Sequence, residues 1–205
     1  GFAMLLNQDF FGKTVARGLL IIPWAIPWLF VGMVWKWFLD GQVGALNLLL
    51  RDLGLIEKGI YFLSDGGMAL QLTILAAVWR QSALSGLLYL AGLQTLPKEH
   101  LEAATVDGAS GWQTLRHVIL PWLQPITVGV VLLNVIFGAL QFDTVFAMTQ
   151  GGPGDATQLL SLVLYRELFV FTDFGAGAAM AFLLGGFALG AAALMSKLVT
   201  RRNEF

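Results

Sequence analysis

Glu102-Ala103-Ala104-Thr105-Val106-Asp107-Gly108, followed after nine residues by Val118-Ile119-Leu120-Pro121, interrupts an otherwise lipid-like chain. It is a polar, charged helix-turn set between two long apolar runs, at 66–97 and 118–142. Ala103 and Ala104 favour helix and leave small surfaces for close docking. Gly108 permits a turn that a Cβ would penalise. Glu102 and Asp107 stand where they can cap or pair. Residues 112–117 then lead back toward Pro121, which would open the next span at a position where proline is tolerated. Such a segment between spans is built to touch something outside the lipid.

Composition sets the solvent. Hydrophobic residues make up 57% of the chain and charged residues 12%, with mean hydropathy +0.74, whereas soluble domains carry about 25% charge. The chain reads as an integral membrane protein. It has no cysteine, which excludes disulfide frameworks and thiolate metal or redox sites. A net charge of −1 argues against a nucleic-acid partner, since binding a phosphate backbone needs a clustered cationic excess. The first apolar run lies beyond Lys13 and Arg17 and is long enough to span, so it is expected to stay in the membrane rather than be cleaved as a leader.

About 20 mainly apolar residues are needed to cross the hydrocarbon, and four runs qualify: 18–35, 66–97 (interrupted only by Arg80), 118–142 and 174–196. They are continuously apolar rather than alternating, which predicts helices and not barrel strands. With a cytoplasmic start, Lys13, Arg17, Lys98, Arg116, Lys197, Arg201 and Arg202 lie inside, against Lys36, Arg51, Lys58 and Arg166 outside. Basic residues gather on the cytoplasmic side, so this topology is preferred and it puts Glu102 in the cytoplasm. Trp35 and Trp37 fit an outer aromatic belt. Residues 40–66 are expected to form an outer loop with Gly41, Gly44, Asn47 and Gly54 as turn signals around a short apolar helix at 46–53. Residues 143–157 are expected to be a second outer loop, followed by a helix at 159–171 too short to span.

The Glu-Ala-Ala segment, with glycine after three intervening residues and Val118-Ile119-Leu120-Pro121 after nine more, resembles the EAA loop of bacterial ABC importer permeases. Val118 stands where that pattern has isoleucine. The likeness extends to Ile22-Pro23-Trp24-Ala25-Ile26-Pro27, Val34-Trp35, Val78-Trp79-Arg80 and Ala91-Gly92-Leu93-Gln94-Thr95-Leu96-Pro97. Thr149-Gln150-Gly151-Gly152-Pro153 with Thr157 is similar to a signature of the first permease subunit in maltose, trehalose and glycerol-phosphate importers. The resemblance implies an all-α, type I ABC importer transmembrane domain over residues 1–205, N-terminally incomplete, with four of an expected six or more spans. Residues 97–118 would be its cytoplasmic coupling loop, in which Glu102, Ala103, Ala104, Asp107, Gly108 and Pro121 meet the ATPase. It implies a non-catalytic subunit of a sugar importer in a bacterial or archaeal inner membrane. No cofactor belongs to this chain, ATP and magnesium being held by the ATPase. The implied partners are two ATPase subunits, a second homologous permease, an extracytoplasmic solute-binding protein and the lipid bilayer. The competing readings are an amino-acid or metal permease, or a secondary transporter or membrane scaffold that needs no ATPase. A secondary transporter should show paired intramembrane acids or ion-coordinating broken helices, and the only deep charge here is Arg80.

Two other motifs carry less. Gly12-Lys13-Thr14 copies the end of a phosphate-binding loop, but Asn7 stands where the first glycine is needed and an apolar helix follows. His100 and His117 sit seventeen residues apart without a ligand set for metal. Polar groups inside spans are the better candidates for solute contact, because lipid penalises them. Arg80 and Gln81 on one span, and Asn134 and Gln141 seven apart on a common helical face with Gly138 between them, are the expected substrate path. Arg80 could instead pair with Asp143 or snorkel outward, and Asn134 could bond a neighbouring helix. Gly186 and Gly190, with Gly175, Gly177, Ala179 and Ala181, read as close-packing surfaces of the last span.

Overall fold

The structure, a computed structural model, describes residues 1–200, with side chains as far as Leu194. Among the described residues it is all helical, with no strand. The helices are α1 (Phe2–Asn7), α2 (Lys13–Ala25), α3 (Trp28–Phe38), α4 (Ala45–Asp52), α5 (Gly66–Gln94) and α6 (Lys98–Val106). There follow α7 (Gly111–Thr114), a π-helical turn (Leu115–Ile119), α8 (Leu120–Trp122), α9 (Gln124–Ala139), α10 (Asp143–Met148), α11 (Leu160–Phe169) and α12 (Phe174–Thr200). Arg201 and Arg202, expected as a cytoplasmic anchor, lie outside the described residues, as does the side chain of Lys197.

Two helices, α5 and α12, are long and apolar enough to cross a membrane, and the 29 residues of α5 reach about 44 Å at 1.5 Å per residue. The other two expected spans are each a broken pair. The run at 18–35 stops at Ala25 and restarts at Trp28, with Pro27 as the N-cap of α3 in an extended conformation. Proline has no amide hydrogen and pushes the residue before it out of helical geometry. Helix α2 carries Pro23 within it, but at Pro27 the backbone is extended and the helix ends, however apolar the run. The run at 118–142 is bent by 68° between the segment Gly111–Trp122 and α9. Its spanning helix starts at Gln124 rather than Val118, with Pro125 in the first turn, where a missing N–H costs nothing. Residues 143–148, expected in a loop, are helix α10, with Thr144, Val145 and Met148 buried.

The chain folds as two compact units. One comprises Gly1–Trp24, Gln81–Ile136 and the described residues from Gly190 on. Its core is Ala3, Leu6, Leu90, Leu93 and Leu123, with Leu20, Tyr89, Ile119 and Ile126 against it. A Cβ at Gly92 would run into Ile126, so that glycine is what lets α5 and α9 meet. Helix α1 had no counterpart in the sequence reading. Arg17 holds it by donating from Nη2 to the Leu6 carbonyl at 3.0 Å. Lys13 pairs with Asp9 at 2.6 Å, and that hydrogen bond keeps the Asp9 carboxyl below its ordinary range.

The other unit comprises Ala25–Arg80 and Phe137–Leu189. Its core is Val31, Leu39, Ala76 and Met148. Helix α3 lies so close to α10 that a Cβ on Gly32 would stand 2.6 Å from Ala147 Cβ and 2.9 Å from the Thr144 carbonyl oxygen. Asn47, expected as a turn residue, is instead fully buried on α4. Its Nδ2 donates to the carbonyls of Asp40 and Ile60 at 2.8 and 2.9 Å, and its Oδ1 accepts from the Ile60 amide at 2.8 Å. Helices α10 and α11 pack through Phe142, Phe146, Tyr165 and Phe169, with ring centres 5.1 to 5.5 Å apart. On α12, a Cβ at Gly177 would collide with Leu168, whereas Gly186 and Gly190 have nothing within 4 Å of that position.

Candidate functional site

The 97–118 segment is a rigid reversal built from its own backbone. Pro97 is the N-cap of α6 and Asp107 its C-cap. Gly108 has φ +72, its amide donates to the Thr105 carbonyl at 3.1 Å, and the Ala109 amide donates to the Ala104 carbonyl at 2.9 Å. This pair of bonds with a left-handed glycine is a Schellman motif. It is followed at once by a capping box. The Gln113 amide donates to Ser110 Oγ at 3.4 Å and the Ser110 amide donates to Gln113 Oε1 at 2.7 Å. The glycine turn is legible in the sequence, and the capping box is signalled there by the Ser-x-x-Gln spacing of Ser110 and Gln113. Neither Glu102 nor Asp107 makes an ion pair among the described residues, contrary to the pairing considered from sequence.

Of the expected contact residues in this segment, Ala104 is buried against the protein while Glu102, Ala103, Asp107 and Gly108 are exposed. Pro121 lies in the first turn of α8. Two residues whose exposure no local sequence signal marks stand out: Val106 is 88% exposed and Trp112 68%. They stand on either side of the glycine turn, so the reversal exposes two apolar side chains in the same segment as the exposed acids Glu102 and Asp107.

Three of the expected substrate-path residues, Arg80, Asn134 and Gln141, are tied to protein, and Gln81 is buried. Arg80 donates from Nε to the Ile26 carbonyl at 2.8 Å, and its guanidinium carbon lies 4.0 Å from the ring centre of Trp28. It pairs with no carboxylate among the described residues. Asn134 donates from Nδ2 to Ser85 Oγ at 3.1 Å and to the Val130 carbonyl at 2.7 Å. Gln141 donates to Thr144 Oγ1 at 2.7 Å, and its own carbonyl accepts from Ser161 Oγ. Asn134 and Gln141 do not share a helical face, because α9 ends at Ala139 and the seven-residue spacing counts only along a continuous helix. Arg80, Gly138 and Gln141 belong to one unit, Gln81 and Asn134 to the other. Nothing lies within 4 Å of a Cβ built at Gly138. Ser82 and Ser85 line a mostly apolar cavity of about 370 Å³ with Tyr89, Leu93, Leu123 and Thr127.

The Thr149–Thr157 loop closes on itself. Thr149 and Thr157 share a hydroxyl–hydroxyl bond of 2.6 Å, and Thr157 Oγ1 donates to the Gly152 carbonyl at 2.8 Å. Gly151 has φ +93, and a Cβ there would stand 2.9 Å from Leu162 Cδ2. Arg166 Nη2 donates to the Gln150 carbonyl at 2.7 Å.

These elements, apolar helices broken by proline and joined by a polar capped reversal, are those of a transporter's membrane domain. The pattern of the family described as "Binding-protein-dependent transport system inner membrane component" matches residues 1–203, and the chain belongs to this family. It is 32% identical, over 98% of its length, to a probable ABC transporter permease protein of Brucella suis, of which it covers 70%. It is 33% identical, over 89% of its length, to the trehalose/maltose transport system permease protein of Thermococcus litoralis, of which it covers 61%. The chain thus spans about two thirds of these relatives. Among solved structures, 97% of it superposes on a chain in a crystal structure of a bacterial alginate ABC transporter in complex with alginate pentasaccharide-bound periplasmic protein. The TM-score is 0.85 at 20% identity, over 69% of that chain. The fold is that of a type I ABC importer transmembrane domain.

Proposed function

We propose that this chain is a permease subunit of an ATP-driven importer for sugars or sugar-like solutes, and that residues 97–118 are the lever through which a partner ATPase drives it. The observation that carries the reading is the capped reversal at Gly108 to Ser110, which holds Val106 and Trp112 outward on a turn fixed by its own hydrogen bonds. A preformed turn transmits displacement without first losing order, and an exposed tryptophan is a characteristic anchor at protein interfaces. Hydrolysis would belong to two ATPase subunits carrying ATP and magnesium. A second permease would complete the path, and a solute-binding protein outside the membrane would deliver the sugar. The solute class is supported by the names of the trehalose/maltose relative and the alginate transporter. Arg80, Gln81, Asn134, Gly138 and Gln141 remain the proposed path window, with Arg80, Asn134 and Gln141, which are held by protein contacts, as its framework.

A cysteine at Ala109 tests the assignment. It should react with a membrane-impermeant thiol reagent only from the cytoplasmic side, and lose reactivity when the ATPase binds. Labelling from outside intact cells overturns the topology. Equal labelling with and without ATPase overturns the docking.

A further inference from the structure

The break between α2 and α3 raises a problem that α5 answers. Pro27 is itself extended, with φ −57 and ψ 143, and α3 begins only at Trp28, so the Ile26 carbonyl loses the Phe30 amide that a continuous helix would bring to it, and Val31 N–H onto the Pro27 carbonyl is the first amide bond across the break. Within a membrane no water replaces that partner. The group that reaches it is Arg80 Nε, at 2.8 Å. Arg80 is also the one charged residue of α5, and the face of its guanidinium lies over Trp28, the first residue of α3. The neighbouring residue repeats the connection, with the rings of Trp79 on α5 and Trp35 on α3 meeting edge to face at 6.0 Å. Ala76 and Val31 lie between, both fully buried in one cluster.

We infer that Arg80 is a positioning residue of the transport cycle: it fastens the open carbonyl of Ile26 and the ring of Trp28 to α5, fixing where α3 begins, rather than contacting the transported solute. A guanidinium suits this task. It donates in its plane while its face covers an indole, and an ammonium on a flexible stem does not reproduce both contacts from one position. The inference takes from the proposed function only that the chain works in a membrane, and it holds whichever solute is moved.

The test uses the full-length protein in its assembled transporter, reconstituted in nanodiscs, with Arg80→Lys, Trp28→Leu and the double variant. Hydrogen–deuterium exchange over residues 28–31 without solute should rise several-fold in each single variant, with residues 143–148 unchanged. The double variant should exchange little faster than the worse single one, because both changes break one connection. In uptake, both single variants should lower the maximal rate several-fold and leave KM unchanged. The assignment is overturned by unaltered exchange at 28–31 in Arg80→Lys. It is equally overturned if Arg80→Lys raises KM or changes solute preference while Trp28→Leu is silent, the signature of a solute contact. Should Arg80→Lys not assemble, Trp28→Leu decides alone, because it leaves the guanidinium in place: unchanged exchange and uptake in that variant refute the connection. Exchange is read without transport, so failure of the sugar-importer reading is seen separately.

Discussion

The two segments with the most specific spacing, residues 97–118 and 149–157, use their motif residues in opposite ways. In the glycine-rich loop the threonine hydroxyls face inward, onto each other and onto the Gly152 carbonyl, and Thr157 is 1% exposed. In the 97–118 segment the backbone and two capping side chains hold the turn, which leaves Val106 and Trp112 outside. The first motif specifies a shape and the second presents a surface. Spacing alone does not separate these cases; the destination of each polar atom does.

The largest expected effect lies in the inward motif. Thr157→Val keeps the volume but removes the hydroxyl that bonds both Thr149 and Gly152. Leaving buried polar groups unpaired costs about 1–3 kcal/mol, so the melting temperature of the detergent-solubilised protein should fall clearly. Gly151→Ala adds a Cβ at positive φ against Leu162, and the left-handed conformation alone costs about 1–2 kcal/mol. A variant of either kind that melts like wild type would end the contrast, because the loop would then not depend on its motif.

For the outward motif the pattern should invert. Trp112→Ala and Val106→Ala change exposed side chains, and surface substitutions usually shift stability by no more than about 0.5 kcal/mol. The melting temperature should stay put while retention of the ATPase on the purified chain drops severalfold. Unchanged retention would show that the exposed pair is not the docking surface. Gly108→Ala sits between the two motifs: there is open space around its Cβ position but φ is +72. It should cost about 1 kcal/mol through backbone strain alone, and Gly108→Asn, which tolerates that region better, should recover much of the loss.

The sequence was most legible where a local rule acts alone. The long apolar windows of α5, with Arg80 as its one charge, and of α12 are observed as long helices, and Gly108 adopts the positive φ that its position implied. Hydropathy windows could not see the interruption at Pro27, since they count side-chain transfer and not backbone donors. The seven-residue spacing of Asn134 and Gln141 failed for a related reason, because the helix it presumed ends between them. Asn47 looked like a turn residue because its amide is polar, yet the same amide ties residues 40 and 60 from a buried helical position. Arg80 was visible as an anomaly, but its partners, a main-chain carbonyl and a ring some fifty residues earlier, leave no spacing to read.

Asp40 gives the smallest effect and refines the contrast, because it is an exposed side chain that is nevertheless used inwardly. Its carboxylate accepts hydrogen bonds from the amides of Val43 at 2.9 Å and Gln42 at 2.8 Å, and these bonds hold its pKa below the ordinary value of 3.8, the Val43 bond first. A group whose pKa is depressed on folding stabilises above its unfolded value and loses that contribution as pH falls through the folded value. Amide exchange at residues 42 and 43, corrected for its intrinsic pH dependence, should therefore be slower in wild type than in Asp40→Ala at neutral pH. The difference should hold down to about pH 5, shrink below the unfolded carboxylate range near pH 3.9, and vanish at lower pH. Asp40→Asn keeps an acceptor without a charge and should show a smaller protection that does not vary with pH. Equal exchange in wild type and Asp40→Ala at neutral pH would mean that the carboxylate is not engaged, and that exposure by itself separates the side chains that shape this protein from those that meet its partners.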